Sequence, residues 1–210
     1  MCRPNFLFSA ALVLSSALLV TDTEAATVVF SDKALFLSNL AAGSYEEAFT
    51  GGAGLSQVQS FSGGSPAVFT YEVTTIPSTA TSVYRSADLI SAGSSTAVLR
   101  VTMTSGNVYG VGGNFFKTND SDTFVSGQSF TITLNDGTVQ TVTPTSVNDF
   151  VGFVSDEPIT TLSISATGLP SIYSSIDNLV VGTPVPEPGL TALLAAGCLL
   201  TLRRRKTVTA

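Results

Sequence analysis

Phe130-Thr131-Ile132-Thr133-Leu134-Asn135-Asp136-Gly137-Thr138-Val139-Gln140-Thr141-Val142-Thr143 is the stretch that decides the fold class. Its first five residues alternate apolar and polar, the period of a half-buried strand. Asn135-Asp136-Gly137 then offers residues that tolerate positive φ, and Thr138 to Thr143 returns, so the stretch reads as a β-hairpin. Working outward, Ala97 to Thr104 alternates in the same way, with Ala97, Leu99, Val101 and Met103 on one face. Ser105-Gly106-Asn107 turns it into Val108 to Phe116, where Gly110, Gly112 and Gly113 point to a bulge or a close backbone approach. Val68 to Thr74 puts Phe69, Tyr71 and Val73 on one face. Downstream, Phe150 to Ser155, Ile159 to Ala166 and Ile176 to Val181 read as strands, and Pro158 sits at a strand start where its missing donor costs little.

Upstream, Thr27 to Phe30 opens as a short strand. Ser31 is placed to cap a short helix through Asp32, Lys33, Leu35 and Leu37 that stops at Gly43, the one helix expected in the body. A further strand is open at Tyr45–Phe49, within a small, Gly-rich stretch. About nine short strands with Gly and Asx turns predict an all-β fold, an antiparallel sandwich of jelly-roll type. No internal repeat is evident, which argues against a solenoid or propeller.

Composition agrees. Only 11% of residues are charged, Gly numbers 18, and Trp and His are absent. Thr, Val and Phe suit pleated surfaces. Between Ala26 and Gly182 there are four basic residues (Lys33, Arg85, Arg100, Lys117) against twelve acidic ones, 4 − 12 = −8. Such a body would repel phosphate backbones, which argues against nucleic-acid binding. The only cysteines, Cys2 and Cys198, lie near the two ends. The body therefore has no disulfide framework, thiol nucleophile or cysteine-ligated metal. It is large enough to hold a core without staples.

Both ends carry export features. Arg3 precedes an uncharged apolar run from Phe6 to Val20, and Thr23-Glu24-Ala25 places small residues before a cut between Ala25 and Ala26. That is the layout of a secretory signal peptide over 1–25, the rival being an uncleaved N-terminal anchor. The body spans 26–182. A linker begins at Thr183 and opens the 183–210 segment, which continues as Val185-Pro186-Glu187-Pro188, then uncharged Gly189 to Leu202, then Arg203-Arg204-Arg205-Lys206. Fourteen residues of helix rise about 21 Å, short of a hydrocarbon core of about 30 Å, and the cations favour the cytoplasmic side. The tail is thus expected to be a transmembrane helix that hangs the chain transiently from the inner membrane, with its body outside.

This tail closely resembles the PEP-CTERM sorting signal. The residues that carry the match are Val185, Pro186, Glu187, Pro188, the apolar run and the stop formed by Arg203, Arg204, Arg205 and Lys206. The resemblance covers about the last 25 residues. It implies recognition by an exosortase as partner, a Gram-negative host that makes extracellular polysaccharide, and delivery to the cell surface or biofilm matrix. The rival is an ordinary membrane anchor with a chance Pro-Glu-Pro. In the body, Phe150-Val151-Gly152-Phe153, Pro158 to Ile164 and Ser175 to Gly182 are loosely similar to the last strands of exported jelly-roll domains found in many PEP-CTERM proteins.

Candidate chemistry in the body is sparse. Without His there is no ordinary base for a nucleophilic triad. Glu46-Glu47, Glu72, Asp149 and Asp156-Glu157 are available to a glycosidase, yet no spacing singles out a pair. Adjacent Glu46 and Glu47 would face opposite ways on a strand. The oxygen-rich Asn119-Asp120-Ser121-Asp122 is either a polar turn or part of a Ca²⁺ site made by Asp120, Asp122 and Asp177. Tyr45, Tyr71, Tyr84, Tyr109 and Tyr173 are the available aromatic platforms for sugar. The expectation is a non-enzymatic protein with a structural or adhesive role in extracellular polysaccharide. The alternative is a carbohydrate-binding module for exopolysaccharide, with a glycoside-processing enzyme third.

Overall fold

The computed structural model describes residues 26–52, 54–77, 82–86 and 88–185. The expected signal peptide with Ala25, the motif residues Pro186, Glu187 and Pro188, the apolar tail helix and the Arg203–Lys206 cluster lie outside the described residues. Among the described residues no helix is long and apolar enough to cross a membrane.

The predicted hairpin is present. β10 (Phe130–Leu134) and β11 (Val139–Val142) pair antiparallel from Phe130 opposite Val142 to Thr133 opposite Val139. Gly137 takes φ 89 at the turn, and the Asp136 carboxylate accepts from Thr138 N at 2.8 Å. β5 (Phe69–Ile76) and β8 (Val98–Met103) alternate buried and half-buried along their whole length, with Phe69, Tyr71, Val73, Leu99, Val101 and Met103 inward as expected. With β13 (Thr161–Ile164) and β4 (Gln59–Gly63) they form a six-stranded sheet in the order β11-β10-β13-β8-β5-β4.

The second sheet contains β1 (Thr27–Phe30), β12 (Phe150–Ser155), β9 (Gly110–Thr118), β14 (Tyr173–Gly182), β7 (Ile90–Ala92), β6 (Val83–Arg85) and β3 (Gly54–Ser56), in that order. β2 (Tyr45–Glu47) pairs with the C-terminal half of β14. Every pairing in both sheets is antiparallel. Phe115, Phe153, Ile176, Ile132, Leu162 and Val101 meet between the sheets in one hydrophobic core. Among the described residues fourteen strands thus stand where about nine were predicted. The four that the sequence reading lacks are β3, β4, β6 and β7. Three of them are only three residues long, too short to show a period of two, and β4 buries only Phe61.

The helix, α1 (Lys33–Ser38), is capped by Asp32, not Ser31: Asp32 Oδ1 accepts from Leu35 N at 2.8 Å. It ends at Asn39, before Gly43. α1 lies on the outer face of the large sheet, where Phe36 and Leu40 meet Phe150 and Val180. The glycines of β9 make room for this layer. A Cβ on Gly110 would sit 2.4 Å from Leu40 Cδ2, and one on Gly112 would sit 2.6 Å from Phe150 Cζ. The bulge that the same glycines suggested falls on the neighbouring strand: β14 shifts register between Asp177 and Val180, with Asn178 at φ 50.

Candidate functional site

Alternation along the strands of the large sheet sends every second residue away from the core. Ile90, Ala92, Phe115 and Ile176 point inward. Their neighbours Ser91, Phe116 and Ser175 therefore belong to the outer face. One row of cross-strand partners runs Leu55, Tyr84, Ser91, Ser175, Phe116 over β3, β6, β7, β14 and β9. In the next row Tyr173 faces Thr118. Leu55, Tyr84, Ser91, Asn119, Asp120, Asp122 and Tyr173 line a cleft of about 330 Å³ on this face.

At its floor Ser91 heads a chain of hydroxyls that runs beneath the cleft. Ser91 Oγ lies 2.9 Å from Ser175 Oγ, which lies 2.8 Å from Thr118 Oγ1. All three side chains are at most 3% exposed. The lip is the loop after β9. Asn119 Oδ1 accepts from Ser121 N at 2.9 Å and Thr123 N at 3.0 Å, closing the loop as a polar turn. Phe124 folds back onto Phe116 edge to face, with ring centroids 6.0 Å apart, and its backbone bridges to Thr118. Asp120 and Asp122 are thereby carried over the cleft. Tyr173 donates its hydroxyl to Asp120 Oδ1 at 2.6 Å. Hydrogen bonds from Ser171 and Tyr173 hold the Asp120 carboxyl below its ordinary pKa, and the same bond to Asp120 raises the Tyr173 phenol.

The sequence names Asp120 and Asp122 as one loop and Tyr84 and Tyr173 apart from it, and the fold brings all four to one place. It does not bring Asp177 to them. Asp177 lies at the β14 bulge, bonded to Asn178 N at 2.6 Å, and burial raises its carboxyl. No group of three metal-binding side chains occurs among the described residues, so Asp120, Asp122 and Asp177 do not form one Ca²⁺ site. Tyr71 is enclosed in the core, and Tyr45 donates to Glu47 beneath it. Glu46 turns the other way to Lys33, at 2.6 Å, as opposite-facing neighbours on a strand must. Asp149 accepts from Thr145 N at 2.7 Å and Asp156 from Ala26 N at 2.9 Å, so both are occupied in holding local structure. Leu55 and the three floor hydroxyls were not foreseen. The one usable signal was Ile90-Ser91-Ala92, where strand parity sets Ser91 opposite to two apolar neighbours.

The fold and cleft together define an all-β antiparallel sandwich with a polar, tyrosine-walled cleft on the outer face of one sheet. Compared with known proteins, the chain matches no family model, no curated protein and no solved structure.

Proposed function

We propose that the protein is an exported, non-enzymatic adhesive of the cell surface or extracellular matrix, sorted by an exosortase through its Val185-Pro186-Glu187-Pro188 tail, and that it holds matrix polysaccharide in the Tyr84–Tyr173 cleft. The observation that carries this reading is the placement of the cleft relative to the tail. Tyr173 begins β14 and Gly182 ends it. Ten strand residues separate the two by about 30 Å. The chain then leaves through Pro184 and Val185, tied to the fold by Val185 N on Asn39 O at 3.0 Å and Ala41 N on Thr183 O at 2.8 Å. A body held by its C-terminal tail would thus carry the cleft away from the point of attachment.

Two further features support the reading. Ala26 and Val185, the described residues next to the expected signal cut and sorting motif, line one groove of about 650 Å³, which supports a reading in which both ends are handled at one end of the body. A cut after Ala25 would set the new ammonium against the Asp156 carboxylate, whose Oδ1 lies 2.9 Å from Ala26 N. The strand order also fits a jelly roll. β7-β14-β9-β12 in one sheet faces β8-β13-β10-β11 in the other. From β7 to β14 every connection crosses between sheets except the β10–β11 hairpin.

Tyr84 and Tyr173 offer apolar ring faces beside polar groups, the combination that a sugar's C–H face and hydroxyls require. The test has two arms. Expression in cells with and without exosortase should give a shorter, surface-released product only when the enzyme is present; an unchanged mass in both overturns the sorting. Retention of the protein on host polysaccharide should fall about tenfold in Tyr84→Ala and Tyr173→Ala, the loss expected for one aromatic contact. Equal retention of both variants overturns the cleft.

A further inference from the structure

We infer that the cleft is selective for an amino sugar carrying a free ammonium group; this rests on the cleft reading above and adds the charge class of its ligand. Asp120 and Asp122 line the cleft, and no Lys or Arg does. The four cations of residues 26–182 are all engaged elsewhere. Lys33 pairs with Glu46, and Arg85 donates to Phe49 O at 3.2 Å and Thr50 O at 2.9 Å. Arg100 donates to Ser163 Oγ at 3.2 Å, and Lys117 Nζ is buried against Ser174 and Ser165. A uronate or sulfated sugar would meet two carboxylates with no cation to answer it. An ammonium would meet an exposed carboxylate, Asp120, whose charged form the hydrogen bonds from Ser171 and Tyr173 favour.

The floor supplies an independent pointer to a polar ligand. Three hydroxyls joined by two hydrogen bonds contain three protons, so one proton is left over, on Ser91, Ser175 or Thr118 according to which way the two bonds run. Ser91 Oγ and Thr118 Oγ1 make no other hydrogen bond among the described residues. Ser91 is 3% exposed and is the member of the row that lines the cleft. If the row runs toward Ser91, its spare proton is aimed into the cleft; if it runs the other way, Ser91 offers a lone pair. Either direction suits a ligand hydroxyl, which can donate or accept. An ammonium near Asp120 and Asp122 and a hydroxyl over Ser91, with Tyr84 and Tyr173 as walls, is the pattern of one amino-sugar unit. A cavity of about 330 Å³ has room for little more.

The experiment is calorimetric titration of the full-length chain with three oligosaccharides of equal length: de-N-acetylated glucosamine, its N-acetylated form and a uronate. The amine should bind about tenfold more tightly than the acetylated form, and the uronate should not bind, since one charge-assisted contact is worth that factor. Asp120→Asn, at an exposed position, with Asp122→Asn, at a half-buried one, should bring the amine down to the affinity of the acetylated form while leaving Tm unchanged. Equal affinity for the amine and acetylated forms, with both lost in Tyr84→Ala, keeps the cleft and overturns its charge class. Amine binding that ignores the double variant reflects the acidic surface at large and also overturns it. If none of the three sugars binds, the cleft reading and this inference fall together.

Discussion

Lys117 is the most exposed point of this reasoning to experiment, because its side chain is 1% accessible inside the sandwich and has no carboxylate beside it. Nζ donates to Ser165 O at 2.9 Å and to Ser174 Oγ at 2.7 Å, and lies 4.5 Å from the centre of the Phe130 ring. Burial pushes its pKa down from 10.5 to about 7. Below pH 7 both folded and unfolded chains carry the proton, and the whole burial cost stands. Above pH 7 the folded state releases the proton while the unfolded chain keeps it until about 10.5. Unfolding then takes up a proton, so stability rises with pH in this window. Integrated from pH 7 to pH 9, the gain is about 2 kcal/mol, or about 4–8 °C in Tm for a domain of this size. Higher pH is unsuitable. Burial raises Tyr45 to about 12 and pushes Tyr71 up as well, so the unfolded tyrosines ionise first and stability falls again above pH 10.

Lys117→Met removes the titrating group and keeps an apolar stem of similar length. Ser165 O retains Ser174 Oγ as donor at 2.9 Å, so the variant strands no carbonyl. The assay is thermal unfolding of both proteins from pH 7 to pH 9. The stability of the variant relative to the parent should drop by about 2 kcal/mol over that range, whatever the packing cost of the exchange, because groups common to both proteins cancel. Parallel pH profiles would refute the reasoning. So would a direct NMR titration that finds the Lys117 ammonium still charged at pH 9.

Two pairs of simpler changes separate causes that look alike in sequence. Gly112→Ala places a Cβ 2.6 Å from Phe150 Cζ and 2.9 Å from Gly152 Cα, and should cost about 3 kcal/mol in urea unfolding through overpacking. Gly137→Ala meets nothing within 4 Å but sits at φ 89, so it should cost only about 1 kcal/mol, from backbone strain alone. Asp32→Ala should cost about 1 kcal/mol by removing the α1 cap, while Ser31→Ala should be close to neutral. Equal losses within either pair would contradict the assigned roles.

How far the sequence could be read follows from where burial and polarity coincide. In β10 apolar residues face the core and Thr faces outward, and β5 and β8 keep the same alternation over most of their length, so a period of two shows both the element and its inner face. Along β14 this rule fails at the start. Ser174 is 1% exposed and Ser175 is fully buried, because each hydroxyl finds a partner in the fold, so the strand begins three residues before its first apolar side chain, Ile176, inside the core. Lys117 was legible in retrospect. The parity that sends Val111 and Phe115 inward sends Lys117 there too, and only the habit of reading lysine as surface hid it.

The cleft was hidden for a different reason, which lies in the winding of the chain. Its walls come from Leu55, Tyr84, Asp120 and Tyr173, a span of 173 − 55 = 118 residues. β3, β6 and β7 reach it only as three-residue strands. From β7 to β14 every connection but the β10–β11 hairpin changes sheet, so residues near in sequence there land on opposite layers and those far apart become neighbours. A motif search rewards chemistry at short spacing, and this site has none beyond Asn119 to Asp122. What sequence could supply was the residue types: tyrosines without tryptophan, carboxylates without free cations. Those types become a site only because β14 pairs with β9 on one side and β7 on the other, joining Thr118, Ser175 and Ser91 into one floor. Breaking that floor at its centre with Ser175→Val should therefore lower sugar binding even though Ser175 itself is wholly covered. Unchanged titration with the amine oligosaccharide, in a variant whose Tm is also unchanged, would show that the hydroxyl row serves the fold and not the cleft.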